Sequence, residues 1–139
     1  MEAKWLLLPM LAQVALTGAV YVTTYKRRVG AVKSGEMDVL YFKTKQVGEP
    51  TREVKAGDDL LLNLFEAPTL FFAACIAAIA MNSVDEVMLA LASLFVLCRM
   101  LHAKEMLGAN SIRKRFLPWT IGLLDVGVMW IWLTVSAFI

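Results

Sequence analysis

Histidine occurs once in this chain and cysteine twice, and charged side chains make up only 19% of its 139 residues. Each scarcity excludes something. A single histidine rules out most zinc sites, which draw on several His or Cys ligands. Cys75 and Cys98 both lie inside apolar runs, far from any CxxC spacing, and read as small packing residues. We therefore expect neither a disulfide nor a metal site. The stretch GAVKSGEMD lacks the P-loop pattern and follows no strand, so phosphate cradling is not expected. No Ser-His-Asp spacing suggests a nucleophilic triad. The net charge of +2 is too small and too unevenly placed for a nucleic-acid binder. Internal repeats and low-complexity segments are also absent.

What is abundant is apolar. The chain is 59% hydrophobic, with a mean hydropathy of +0.64. A soluble domain of this length would expose too much of that surface. Four apolar segments stand out: about 5–25, 60–81, 87–107 and 117–139. Each is roughly 20 residues, the length an α-helix needs to cross the hydrocarbon of a bilayer. The expected fold is all-α, a single membrane domain built as a four-helix bundle. The first segment is longer than the apolar part of a signal peptide. Lys26, Arg27 and Arg28 follow it directly, which favours a retained helix.

The connections differ sharply. Residues 26–59 read as a long polar loop, whose stretch from Gly48 to Asp59 is left open as ordered or mobile. Residues 82–86 form a tight turn, and residues 108–116 a third connection. Basic residues crowd the first and third: Lys26, Arg27, Arg28, Lys33, Lys43, Lys45, Arg52 and Lys55, then Lys104, Arg113, Lys114 and Arg115. The opposite side holds only Lys4. The positive-inside rule then places both basic loops in the cytoplasm and both termini outside. A bacterial inner membrane is the expected location. Trp5 and Trp119 fit interfacial anchors.

Polar residues interrupt the spans. Asn63 and Glu66 are three apart on the second, and Arg99 and His102 three apart on the third. At 1.5 Å per residue, Glu66 lies roughly 9 Å and Arg99 roughly 12 Å from the basic end, Asn63 and His102 roughly 5 Å and 8 Å. An unpaired charge at such depth costs at least ~2.5 kcal/mol, so these groups should face the bundle interior and find partners. The expected pairs are Glu66 with Arg99 and Asn63 with His102, with Asp125 on the fourth span a lesser competitor for Arg99. Pro68 should bend the second span beside Glu66. The plain alternative is a structural polar layer that fixes helix register, with Asn63 as interhelical glue.

Three motifs then carry a resemblance. NLFEAPTLFF at 63–72, RMLH at 99–102 and NSIRKRF at 110–116 resemble the MAPEG family, the membrane-associated proteins of eicosanoid and glutathione metabolism, and most of all its bacterial members. The similarity runs from about residue 5 to the end. It implies a homotrimer that binds glutathione between protomers in the cytoplasmic half. Carried over by position, Asn63, Glu66, Arg99 and His102 would hold the thiol peptide, joined by Asn110 and Arg113, and Arg115 would polarise the thiol. The resemblance implies conjugation or reduction of lipophilic electrophiles that arrive from the bilayer. The sequence also departs from the glutathione-active pattern. Asp58 to Leu62 stand where basic residues precede the asparagine, Met106 where a tyrosine follows the histidine, and Trp119 about where another tyrosine belongs. A non-enzymatic reading stays beside this one: the polar layer is structural, and the basic loop binds a partner or anionic lipid.

Overall fold

The computed structural model describes residues 2–45 and 47–138. Met1, Gln46 inside the expected loop, and Ile139 at the end of the fourth expected span lie outside them. A 3₁₀ turn, Ala3–Leu6, leads into α1, Leu7–Lys33. A short α2, Leu40–Thr44, precedes three long helices: α3, Arg52–Ala80; α4, Glu86–Leu107; and α5, Ile112–Phe138. No strand occurs among the described residues. Four of the helices are long and apolar enough to cross a membrane. Chain order places the ends of α1 and α4 beside the starts of α3 and α5. We call this the basic end.

The expected 26–59 loop is corrected to a shorter connection, Ser34 to Thr51, that itself contains α2. Helix α1 continues for two turns past Tyr25, and α3 starts two turns before Leu60. These polar extensions hold because they pair with each other. Arg28 donates from Nε and Nη2 to Asp58 Oδ1 at 3.0 and 2.6 Å. The Thr51 hydroxyl caps α3 by accepting from the Val54 N–H at 3.3 Å. The crossing is close at Gly57, where a Cβ would stand 2.7 Å from the Thr24 hydroxyl. Only glycine lets the two backbones approach so far without moving Thr24, a stiff β-branched side chain buried at the seam. Helix α5 also starts early, at Ile112. The Glu105 carboxylate meets the Ser111 N–H at 3.2 Å, and the Glu105 carbonyl accepts from Asn110 at 2.7 Å.

The far half of the bundle is mainly apolar, with Gln13 of α1 buried in it. Leu6, Phe71, Ala74, Met88, Phe95, Met129 and Leu133 are buried together there. Phe71 and Phe95 stack with ring centroids 4.5 Å apart. At the turn between α3 and α4, Asp85 caps α4 through the Met88 N–H at 2.7 Å and takes the Trp132 indole N–H at 2.9 Å. Large apolar side chains such as Leu11, Leu62, Phe65, Leu124 and Ile131 point outward. In water that surface would be costly; against lipid tails it is not. A smaller cluster of Val20, Leu60, Leu64, Ala103 and Met106 closes the core toward the basic end.

Candidate functional site at the basic end

Three pairs of residues, each four apart, build one cavity. Asp59 and Asn63 come from α3, His102 and Met106 from α4, and Arg115 and Trp119 from α5. A four-residue spacing puts each pair on one helix face, one turn apart. Ile112 and Phe116 complete the wall of a cavity of about 400 Å³. Both are exposed, so the wall includes an apolar surface on the outside of the bundle.

Asn63 is the hub. Its Oδ1 accepts from Arg99 Nη2 at 3.0 Å and from the Trp119 indole N–H at 3.1 Å. One amide oxygen thus ties α3 to both α4 and α5. Arg99 is 1% exposed, and its Nη2 also reaches the Asn63 carbonyl at 3.4 Å. It sits behind Asn63 rather than in the cavity wall. His102 Nδ1 contacts the Arg115 carbonyl at 3.0 Å, and no hydrogen-bond partner for His102 Nε2 occurs among the described residues. Arg115 Nη1 donates to Asn110 Oδ1 at 2.7 Å. Asp59 lines the same cavity, with no ion pair between it and Arg115 among the described residues.

Both expected pairings are replaced. Glu66 forms no ion pair or hydrogen bond with Arg99 among the described residues: it is exposed on the outside of α3, and only its charge acts on the guanidinium from a distance. Three residues of helix turn through 300°, so Glu66 is rotated roughly 60° from Asn63. The buried stripe of α3 includes Leu60, Leu64, Ala67 and Phe71. Asn63 sits at its margin, and the rotation carries Glu66 outward. Asn63 does not meet His102 either, because Arg99 and Trp119 take its oxygen and His102 turns to the α5 backbone. Asp125 is buried one turn beyond Gly122, and neither of its oxygens has a hydrogen-bond partner among the described residues. Helix α3 runs unbroken through Pro68, and beside it the Thr69 hydroxyl donates to the Phe65 carbonyl at 2.6 Å and to that of Glu66.

Of the residues singled out by sequence, the structure therefore brings Asn63, His102 and Arg115 to the cavity. Arg99 and Asn110 stand just behind as hydrogen-bond partners of Asn63 and Arg115. Arg113 is exposed and outside the cavity lining. Asp59, Met106, Ile112 and Phe116 were not read as site residues, and Trp119 was read both as an interfacial anchor and as standing about where the resemblance expects a tyrosine. The usable signal for Trp119 was its place four residues after Arg115. An indole N–H carried into a bundle needs an acceptor.

Four apolar, membrane-length helices with an open cavity of mixed polar and apolar lining at one end define a class: an integral, multi-pass helical membrane protein. The model of the MAPEG family matches residues 4–135, and the chain belongs to that family. It is thus a membrane protein of the glutathione and eicosanoid metabolism family. No curated protein and no solved structure matches it.

Proposed function

We propose that the cavity binds glutathione or a similar small thiol and presents it to lipophilic electrophiles. The observation that carries this reading is the convergence of Asp59, Asn63, His102, Arg115 and Trp119 on one cavity beside exposed Ile112 and Phe116. Such a wall gives a polar ligand a polar seat and leaves an apolar approach from the membrane. Glutathione carries two carboxylates, one ammonium and one thiol. Arg115 suits an anion, whether thiolate or carboxylate. Asp59, the carboxylate in the cavity wall, suits the ammonium. His102 is held in the wall by its Nδ1 contact to the Arg115 carbonyl.

The chemistry is simple. A free thiol titrates near ~8.5 and needs a cationic or donor neighbour to become a good nucleophile at neutral pH. With Arg115 as that neighbour, the thiol proton leaves to solvent. The sulfur then forms a bond to the electrophilic carbon, and a group such as chloride departs with its electron pair.

Glu66 supports the trimer. A carboxylate on the outer face of a span is costly against lipid, and a neighbouring copy gives it somewhere to go. The cavity then lies in a cleft between protomers. The basic end faces the cytoplasm, following the lysine and arginine bias. Labelling of Ser34→Cys and Ser83→Cys should place Ser34 inside and Ser83 outside, and native mass measurement in detergent should give three copies. Glutathione binding by calorimetry and turnover of a chlorinated aromatic test the function itself. Arg115→Ala should abolish turnover.

One observation favours a purely structural polar layer. Arg99, Asn63 and Trp119 already share hydrogen bonds without a ligand. That reading leaves Asp59 without a use.

A further inference from the structure

The α4–α5 turn that carries Asn110 is held from outside. Helix α4 ends with carbonyls that have no intrahelical partner. Arg27, on the extension of α1, donates from Nη2 to the Leu107 carbonyl at 2.5 Å and from Nη1 to the Glu53 carbonyl of α3 at 3.1 Å. Arg52, at the start of α3, donates from Nη2 to the Ala109 carbonyl at 3.0 Å. Two guanidinium groups from two other helices thus grip the chain at residues 107 and 109. Asn110 comes next, in the left-handed region at φ +52. Its Oδ1 receives Arg115 Nη1 at 2.7 Å.

We propose that Arg27 and Arg52 are positioning residues for Arg115. They fix the α4–α5 turn, the turn fixes Asn110, and Asn110 aims the guanidinium of Arg115 into the cavity. Cationic side chains at a helix C-terminus are favourable in general. Here the fork of Arg27 does more than cap α4, because it bridges α4 to α3. Lysine cannot reproduce that bridge, since its ammonium is a compact point charge on one flexible stem. The clamp explains why α1 and α3 extend past the apolar spans: the extensions carry the two arginines to the turn. Without them the α4–α5 connection would be an exposed turn, free to open on its own.

The role of Arg115 toward a thiol rests on the proposed function, so the test has two independent arms. The first is amide hydrogen exchange on the full-length protein in lipid, read at residues 107–111. Arg27→Lys and Arg52→Gln should each speed exchange there by about tenfold or more, while α3 and the far half of α4 stay protected. Arg52 is exposed at a helix start, so its glutamine variant keeps the fold. The second arm is the ultraviolet absorbance of glutathione thiolate at saturating ligand. It should fall about fivefold or more in both variants, with the dissociation constant moving less than about threefold. Asn110→Gly keeps the backbone conformation and removes the side chain. It should lose thiolate equally, and the Arg52→Gln/Asn110→Gly double variant should be no worse than Asn110→Gly alone. Unchanged exchange at residues 107–111, exchange raised throughout the bundle, or additive thiolate losses would each overturn the clamp. A wild-type protein that binds no glutathione overturns the thiol reading alone, and the exchange arm still decides the clamp.

Discussion

The two halves of the bundle are built by different means. Toward the termini, cohesion comes mainly from shape, with one cross-element hydrogen bond from Trp132 to Asp85: Phe71 stacks on Phe95, and Ala74, Ala78 and Ala92 let the helices close around Met88 and Met129. Toward the basic end, cohesion comes from hydrogen bonds that cross between helices: Arg99 and Trp119 to Asn63, Arg27 to Leu107, Arg52 to Ala109 and His102 to the Arg115 carbonyl. A well-packed apolar half leaves no room for a polar ligand. The hydrogen-bonded half holds its side chains apart around a cavity. The comparison teaches that the far half acts as a clamp on helix positions, and the basic half spends that rigidity on a site.

If so, damage to the halves should differ in kind. Asn63→Leu removes the side-chain acceptor shared by Arg99 and Trp119 and leaves the buried guanidinium only its 3.4 Å contact to the backbone carbonyl of residue 63. The loss of stability should be the largest, ~3–5 kcal/mol. Ligand binding should disappear with it. A thermal melt in detergent, followed by calorimetry at a permissive temperature, reads both. Phe95→Ala in the far half should cost less than in a soluble core, about 2 kcal/mol, because lipid already solvates apolar groups and only the packing loss remains. Its affinity for glutathione, corrected for the folded fraction, should stay at the wild-type value.

The crossing of α1 and α3 gives a sharper test. Gly57→Ala pushes a methyl onto the Thr24 hydroxyl and should cost about 1–2 kcal/mol. Thr24→Ala in the same chain should restore most of it. Gly127→Ala, where no atom lies within 4 Å of the added Cβ, is the control and should be neutral in a melt. The smallest expected effect concerns Glu66 and Arg99. They form no ion pair and only the charge of Glu66 acts on Arg99, so a double-mutant cycle of Glu66→Gln with Arg99→Met should give a coupling of about 0.5 kcal/mol. A coupling several times larger would mean that Glu66 reaches Arg99 after all.

The comparison also explains what could be read from sequence. The four spans were legible because apolar length is a strong local signal, and Asn63 and His102 because polar residues in a span must turn inward; Arg115, in the expected third connection, was named only through the family resemblance. The pairings were not legible. Depth along the axis matched Glu66 with Arg99, but rotation about the axis decides contact, and roughly 60° separates Glu66 from Asn63. The helical extensions at 26–33 and 52–59 were hidden for a different reason. Their polar composition looks like loop until Arg28 and Asp58, 30 positions apart, are seen to pair. Trp119 was legible only through the resemblance, about where a tyrosine belongs, since by itself an aromatic near a helix start reads first as an interfacial anchor. Asp59 was passed over because an acid beside the basic end looks like a solvated charge, whereas its position four before Asn63 puts it in the cavity.

The central claim is that the cavity seats an ammonium-bearing thiol between Asp59 and Arg115. Calorimetry of the purified protein with glutathione and with its desamino analogue tests it most directly. Wild type should bind glutathione and bind the analogue about tenfold more weakly, as expected for one partly desolvated ion pair. Asp59→Asn should remove that preference, and Arg115→Ala should weaken both ligands. No binding of glutathione at millimolar concentration, or equal affinity of wild type for the two ligands, would contradict the account.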